Sequence, residues 1–295
     1  MKQIFLLFTI SILLISCEKN IDFKTNQTEE TLVVDGTIED NREPRIVLTH
    51  SLNYFSSITP QIALSSFVHN AVVTVTDGTV TSTLKEYEIP LGGGYSLFYY
   101  TNNDSFPLNR IIGEQGKKYD LKIVASGKEY IASTNILNLT KTCDSLWWKK
   151  VPNNPDTNLA TLVGKFIDPP QIQNYIKYFT KINNDNFLPG DKSAYDDQVI
   201  NGKTYSIQID QGVDKSNSKI DDKTKGFFHR GDTVTLKLCN IDKASYTFWN
   251  TWEFAYRAIG NPFSAPNKVL GNISNGALGA FCGYSVQYKS LIIPK

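Results

Sequence analysis

From residue 31 to residue 138 the chain is written as short runs rich in β-branched and aromatic residues, each closed by a turn signal. The runs cover 31–38, 45–49, 71–76, 80–84, 95–100, 119–124 and 129–133. Asp77-Gly78, Gly92-Gly93-Gly94, Gly116-Lys117 and Ser126-Gly127 separate them. Seven short strands with close turns predict an immunoglobulin-like β-sandwich over 31–138. The stretch 52–66 reads as a longer loop crossing it. A second unit, 139–295, begins with strand-like runs at 144–149, 160–166 and 175–180, joined by Pro169-Pro170. Residues 183–225 read as a charged loop interrupted by a strand at 203–209, and 232–238 alternates again.

One segment changes period. Ile241, Phe248, Trp249, Trp252, Ala255, Tyr256 and Ile259 recur at spacings of three and four, with Asp242 placed to cap and Gly260 to stop the run. That predicts an amphipathic helix near 242–259 whose aromatic stripe is core. Residues 276–293 read as two closing strands, with Gly279 and Gly283 admitting close backbones. The predicted fold is mainly β: an N-terminal sandwich, then a second antiparallel β domain carrying one helix.

The first thirty residues follow neither period. Lys2 precedes an apolar run from Ile4 to Ile15, which is too short to span a bilayer at about 20 residues. Leu14-Ile15-Ser16-Cys17 ends it with a branched residue, a small residue and a cysteine. Residues 1–16 are therefore expected to be a lipoprotein signal peptide. Cys17 would become the acylated N-terminus, bearing diacylglyceryl and a further chain such as palmitate, and 17–30 a polar tether. Two or three acyl chains anchor stably where one is marginal. No Asp follows Cys17 directly, so outer-membrane delivery is expected; Glu18 and Asp22 do not decide which face.

Composition narrows the function. Lys+Arg number 30 and Asp+Glu 29, a balance that argues against a nucleic-acid surface. Aromatics reach 12%, with 15 Tyr, 16 Phe and one Met, as befits an exported β protein. Beyond Cys17, the cysteines are Cys143, Cys239 and Cys282. At most one intrachain bridge can form, and a Cys239–Cys282 pair is one possibility beside the other two pairings and three reduced thiols.

Catalytic and metal constellations do not emerge. His50, His69 and His229 have no second ligand at zinc spacing, and no nucleophile elbow, P-loop or H-E-x-x-H occurs. Asp210, Asp214, Asn217, Asp221 and Asp222 fit no EF-hand and read as a solvated loop. Asp191, Asp196 and Asp197 could pair as carboxylates only if the fold fixed their spacing. Trp147-Trp148 could stack on sugars, although strand alternation turns one of them inward. The expectation is a non-enzyme with no cofactor and no metal.

The C-terminal third carries an ordered set: Gly231-Asp232-Thr233, Ile241-Asp242-Lys243-Ala244-Ser245-Tyr246, Asn261-Pro262-Phe263-Ser264, Gly271-Asn272-Ile273 and Gly276-Ala277-Leu278-Gly279-Ala280-Phe281. With Cys17-Glu18-Lys19-Asn20-Ile21-Asp22 and Leu32-Val33-Val34-Asp35-Gly36, it resembles the Bacteroidota lipoprotein family called domain of unknown function 4249. The resemblance implies an outer-membrane lipoprotein accessory to a TonB-dependent receptor in nutrient uptake. It brings no catalytic residues with it. Trp147, Trp148 and Phe263 are the candidate interaction residues. The competing expectation is a free-standing adhesin or glycan- or peptide-binding lipoprotein, and the small ligand, if any, is left open.

Overall fold

A computed structural model describes residues 30–52, 59–170, 172–198, 201–214, 224–259 and 267–295. The expected signal peptide, Cys17, Phe263 and the acidic residues at 221 and 222 lie outside them. Sixteen strands make three sheets among the described residues. They are β1 (Leu32–Glu39), β2 (Arg45–His50), β3 (Val72–Thr76), β4 (Thr81–Thr83), β5 (Lys85–Gly92), β6 (Tyr95–Thr101), β7 (Lys117–Ala125) and β8 (Lys128–Ile136). Then follow β9 (Thr142–Lys150), β10 (Leu159–Ile167), β11 (Tyr175–Ile182), β12 (Leu188–Asp196), β13 (Thr204–Ile209), β14 (Phe228–His229), β15 (Thr233–Ile241) and β16 (Leu278–Ile292). Two helices interrupt them, α1 (Pro60–Ser66) and α2 (Lys243–Ala258).

The spine is an eight-stranded sheet in the order β12-β11-β15-β16-β1-β2-β6-β5. Its pairings are antiparallel except one: β16 runs parallel to β1, with Gly36 opposite Phe281. The sheet β4-β3-β7-β8 and a second small sheet, in which β9, β13 and β14 pair with β10, complete the architecture.

Alternation decides what each face buries. On β1, Leu32, Val34 and Ile38 point inward with Ile46 and Leu48 of β2, meeting Val73, Val75, Leu121 and Ile123 of the sheet β4-β3-β7-β8. Farther along the spine, Val234, Leu236 and Leu238 of β15 face Ala160, Leu162 and Phe166 of β10 in a second core. The register places both cores on one face of the spine, so the two small sheets lie side by side against it. The opposite face carries Cys239, Ile241, Ala280, Cys282 and Tyr284, roofed in part by α2.

The expected boundary at 138/139 does not separate two domains. The spine crosses it, because the last strand returns to pair with the first. Where two strands were expected over 276–293 there is one long strand, β16, since a strand can pass through Gly283 unbroken when its neighbour presses close. A Cβ placed there would lie 2.6 Å from the Asn135 carbonyl oxygen. Gly283→Ala is expected to cost about 1–3 kcal/mol through overpacking, read as a lower urea midpoint with an unchanged slope. Three further differences are local. Residues 60–66 of the expected loop form α1, capped by Thr59 Oγ1. Residues 188–196 of the expected charged loop form β12, and residues 85–92 form β5. The triple-glycine turn before β6 stands as expected, with all three glycines at positive φ.

The predicted helix is present, with Asp242 as its cap, but its burial differs from the expectation. Only Ser245 and Glu253 are fully buried; Phe248, Trp249, Trp252 and Tyr256 are half-buried. A helix on one face of a sheet, with solvent beyond, shields its aromatics only on one side.

Candidate functional site

The face of the spine beneath and beside α2 gathers most of the charged and aromatic chemistry that the cores do not use. Odd-numbered positions of β1, β2, β11 and β15 reach it by strand alternation. They bring Asp35, Glu39, Arg45, Lys177, Phe179, Lys237 and Cys239 to the same side.

Under the helix lies a closed ionic knot. Lys177 Nζ donates to Glu253 Oε1 and to Ser193 Oγ, each at 2.8 Å, and Ser193 Oγ donates to Glu253 Oε1 at 2.6 Å. The backbone N–H groups of Ser193 and Ala194 donate to Glu253 Oε2 at 3.0 and 3.3 Å. All three side chains are buried, and the Lys177 ammonium sits 4.1 Å from the centre of the Trp249 ring. Burial pushes the Lys177 ammonium below its ordinary pKa despite Glu253. Burial also pushes the Glu253 carboxyl up, but Lys177 and the Ser193 donors outweigh it and hold the carboxyl below its usual value. The knot bolts α2 to β11 and β12. It offers no open position to a substrate.

Beside the helix the face opens. Trp249 Nε1 donates to the Tyr284 hydroxyl at 2.9 Å, and Trp249, Trp252 and Tyr256 follow one another as an edge-on contact and then a stack. Lys237 pairs with Glu39 and lies over the rings of Phe179, Phe187 and Tyr284. Asp35 keeps contact with solvent although protein crowds it from several sides. That crowding holds its carboxyl above the usual range, with Arg45 pulling the other way. Arg45 in turn lies over Tyr99 of β6. Mixed charges set among aromatic rings suit binding through ion pairs and stacking.

Trp147 and Trp148 are elsewhere, on β9 in the second small sheet. Trp148 packs on the second core with Arg230 over its ring, while Trp147 is half-buried on the opposite side of the strand. The fold does not bring them to the α2 face. The three aspartates considered as paired carboxylates are occupied separately. Asp191 pairs with Lys225 at 3.5 Å, Asp196 accepts from Tyr246 Oη, and Asp197 accepts the Asn174 N–H at 2.7 Å. Among the described residues no group of three or more His, Cys, Asp or Glu is arranged to hold a metal ion.

The Cys239–Cys282 bridge is not formed, and Cys143, Cys239 and Cys282 are buried free thiols. Register supplies the reason: Cys239 stands opposite Val286, four residues along β16 from Cys282. Four residues of strand are about 13 Å, beyond the ~7 Å a disulfide spans between Cα atoms. Burial raises the thiols of Cys239 and Cys282 to about 12.

Lys177 and Ser193 carry no sequence pattern that would mark them for this role. The ordered C-terminal motifs turn out to have structural duties. Asn272 donates from Nδ2 to the carbonyls of Ser133 and Phe281 and accepts the Phe281 N–H, clamping β8 to β16. Gly271 lets the chain lie against the Gly279 carbonyl. A family model, described as Domain of unknown function (DUF4249), matches residues 18–290. No curated protein matches the chain.

Proposed function

The chain belongs to the family described as Domain of unknown function (DUF4249), and from that premise we propose a non-catalytic outer-membrane lipoprotein, acylated at Cys17, that assists a TonB-dependent receptor in nutrient uptake. The observation that carries this reading is the face beside α2, where Asp35 is exposed and Arg45 lies over Tyr99, so that charge and aromatic rings stand together at the surface. The run Leu14-Ile15-Ser16-Cys17 supports the anchor. The same reading takes the chain as a Bacteroidota protein. It takes the two sheet regions around the first core as an immunoglobulin-like sandwich, for which the inward alternation of β1, β3 and β7 speaks.

The test is recovery of the native protein from detergent-solubilised outer membranes by a C-terminal tag, with mass spectrometry of what accompanies it. Stoichiometric recovery of a TonB-dependent receptor is expected. Recovery of the lipoprotein alone, under conditions that preserve known receptor complexes, overturns the accessory role.

A second reading, a free-standing glycan or peptide binder, draws on a cleft of about 190 Å³ lined by Ser82, Thr83, Asn103, Phe106 and Asn109. Phe106 is 63% exposed there. An aromatic ring ringed by amides and hydroxyls is the chemistry a sugar ring meets in binding sites.

A further inference from the structure

One end of the spine gathers several exposed apolar side chains with little charge between them. The strand ends that meet there are the start of β1, the end of β2, the start of β6, the end of β5 and the start of β16. Register fixes this: Leu32 is opposite His50, Gly92 is opposite Tyr95, and Val33 is opposite Leu278. Leu52, Ile89, Leu91, Tyr95 and Leu278 are all exposed at this end, Leu91 by 64%. Pro60 of α1 closes against the β5–β6 turn, since a Cβ on Gly94 would lie 3.7 Å from Pro60 Cβ.

Charge is sparse in the same place, although Glu30 precedes β1 there. No Asp, Glu, Lys or Arg occurs between Arg45 and Asp77, nor between Glu88 and Asp104. In a chain with 20% charged residues, two charge-free stretches converge on one end of one sheet. Surfaces of soluble proteins seldom keep a clustered apolar patch without something to cover it.

What covers it is indicated by where the chain enters. Residue 31 leads directly into β1 at this end, and only residues 17–30 separate it from Cys17. The tether is therefore short, and it joins the fold at this end and nowhere else. Acyl chains on Cys17 would make this end the part of the sheet nearest the anchor along the chain. Aromatic and aliphatic side chains without neighbouring charge are those that settle in the interfacial layer of a membrane.

We propose that the β5–β6 hairpin tip, through Ile89, Leu91 and Tyr95, inserts into the lipid interface of the membrane that holds the anchor, fixing the molecule's orientation on it. The inference rests on acylation of Cys17 as read above. It makes the α2 face a side wall that stands clear of the bilayer.

The experiment uses the full lipidated protein with Leu91→Cys, labelled with an environment-sensitive nitrobenzoxadiazole dye and reconstituted into phosphatidylethanolamine–phosphatidylglycerol vesicles. Labelling is confined to the introduced thiol because the three native thiols are buried. The comparison is Leu108→Cys, a 93% exposed residue beyond β6, at the opposite end of the spine. Intact mass first establishes the acyl chains on Cys17, and an unchanged urea midpoint shows that each variant is folded. The expected result is a blue-shifted emission at position 91, quenched by shallow lipid-borne nitroxides, with neither effect at position 108. Acylated protein with both labels in water overturns the hairpin insertion while the lipoprotein reading stands. Shielding of position 91 only after a receptor is added overturns it in favour of a protein contact. Unmodified Cys17 overturns both.

Discussion

Glu253→Ala is expected to destabilise the protein by about 3–5 kcal/mol at neutral pH, because it leaves the Lys177 ammonium buried with no counter-charge. Glu253 accepts from Lys177 Nζ, Ser193 Oγ and two backbone N–H groups, so the truncation also orphans donors that water cannot reach. Equilibrium urea unfolding followed by tryptophan fluorescence reads the loss, and Trp249 in the knot gives a local signal. The double variant Lys177→Met, Glu253→Leu separates charge from shape. Two apolar chains of similar volume should recover most of the loss, since the cost lies in a lone buried charge rather than in the absence of a pair.

The pH dependence has a definite sign. Glu253 has a folded-state pKa below its ordinary value of 4.5, so it stabilises the fold at pH above that value. The contribution fades as pH falls through the lower folded value. The gap between wild type and Glu253→Ala is accordingly widest near neutrality and narrows below about pH 4.5. A gap that stays constant from pH 7 to pH 3 would show that the carboxylate charge is not what Lys177 relies on.

Asp242→Ala should be nearly as costly, at roughly 2–4 kcal/mol. Its Oδ1 accepts the Ser245 N–H at 2.8 Å and caps α2. Its Oδ2 accepts from Thr134 Oγ1 at 3.1 Å and from the Asn135 N–H at 2.9 Å. One carboxylate thus starts the helix and ties it to β8, more than a hundred residues earlier in sequence. A cap alone is worth about 1 kcal/mol, so a measured loss near that figure would mean that the tie to β8 carries little. Asp242→Asn keeps one acceptor and should fall between the two.

Legibility from sequence followed the range over which each signal acts. The α2 helix was readable because its cap, its spacing and its stop all lie within twenty residues. The triple-glycine turn was readable because three positive φ angles in succession demand glycine. Strand β12 was hidden because its buried positions are Gly190, Ser193 and Ala194, with Pro189 and Asp191 among them, so no apolar alternation marks it. The single spine was hidden for a different reason: pairing of β16 with β1 joins residues some 245 positions apart, and nothing local encodes it. The same holds for the knot. Lys177 looks like any polar residue on a half-exposed strand, and only the helix laid over it makes it buried. The choice between a Cys239–Cys282 bridge and free thiols is settled by register, which a count of cysteines cannot see.

The pairing of β1 with β16 also governs when the molecule can exist. Strand β1 lies between β2 and β16, and until residue 278 has arrived one of its edges is open and Phe281 is missing from the first core. A chain threaded through a membrane from its N-terminus would therefore carry an unfinished sheet until nearly its last residues emerged. Contacts this distant in sequence close slowly, and an unpaired strand edge invites other chains in the meantime. For an exported chain of this topology the vulnerable period would fall in delivery rather than in working life, and escort of the unfolded chain would protect it there.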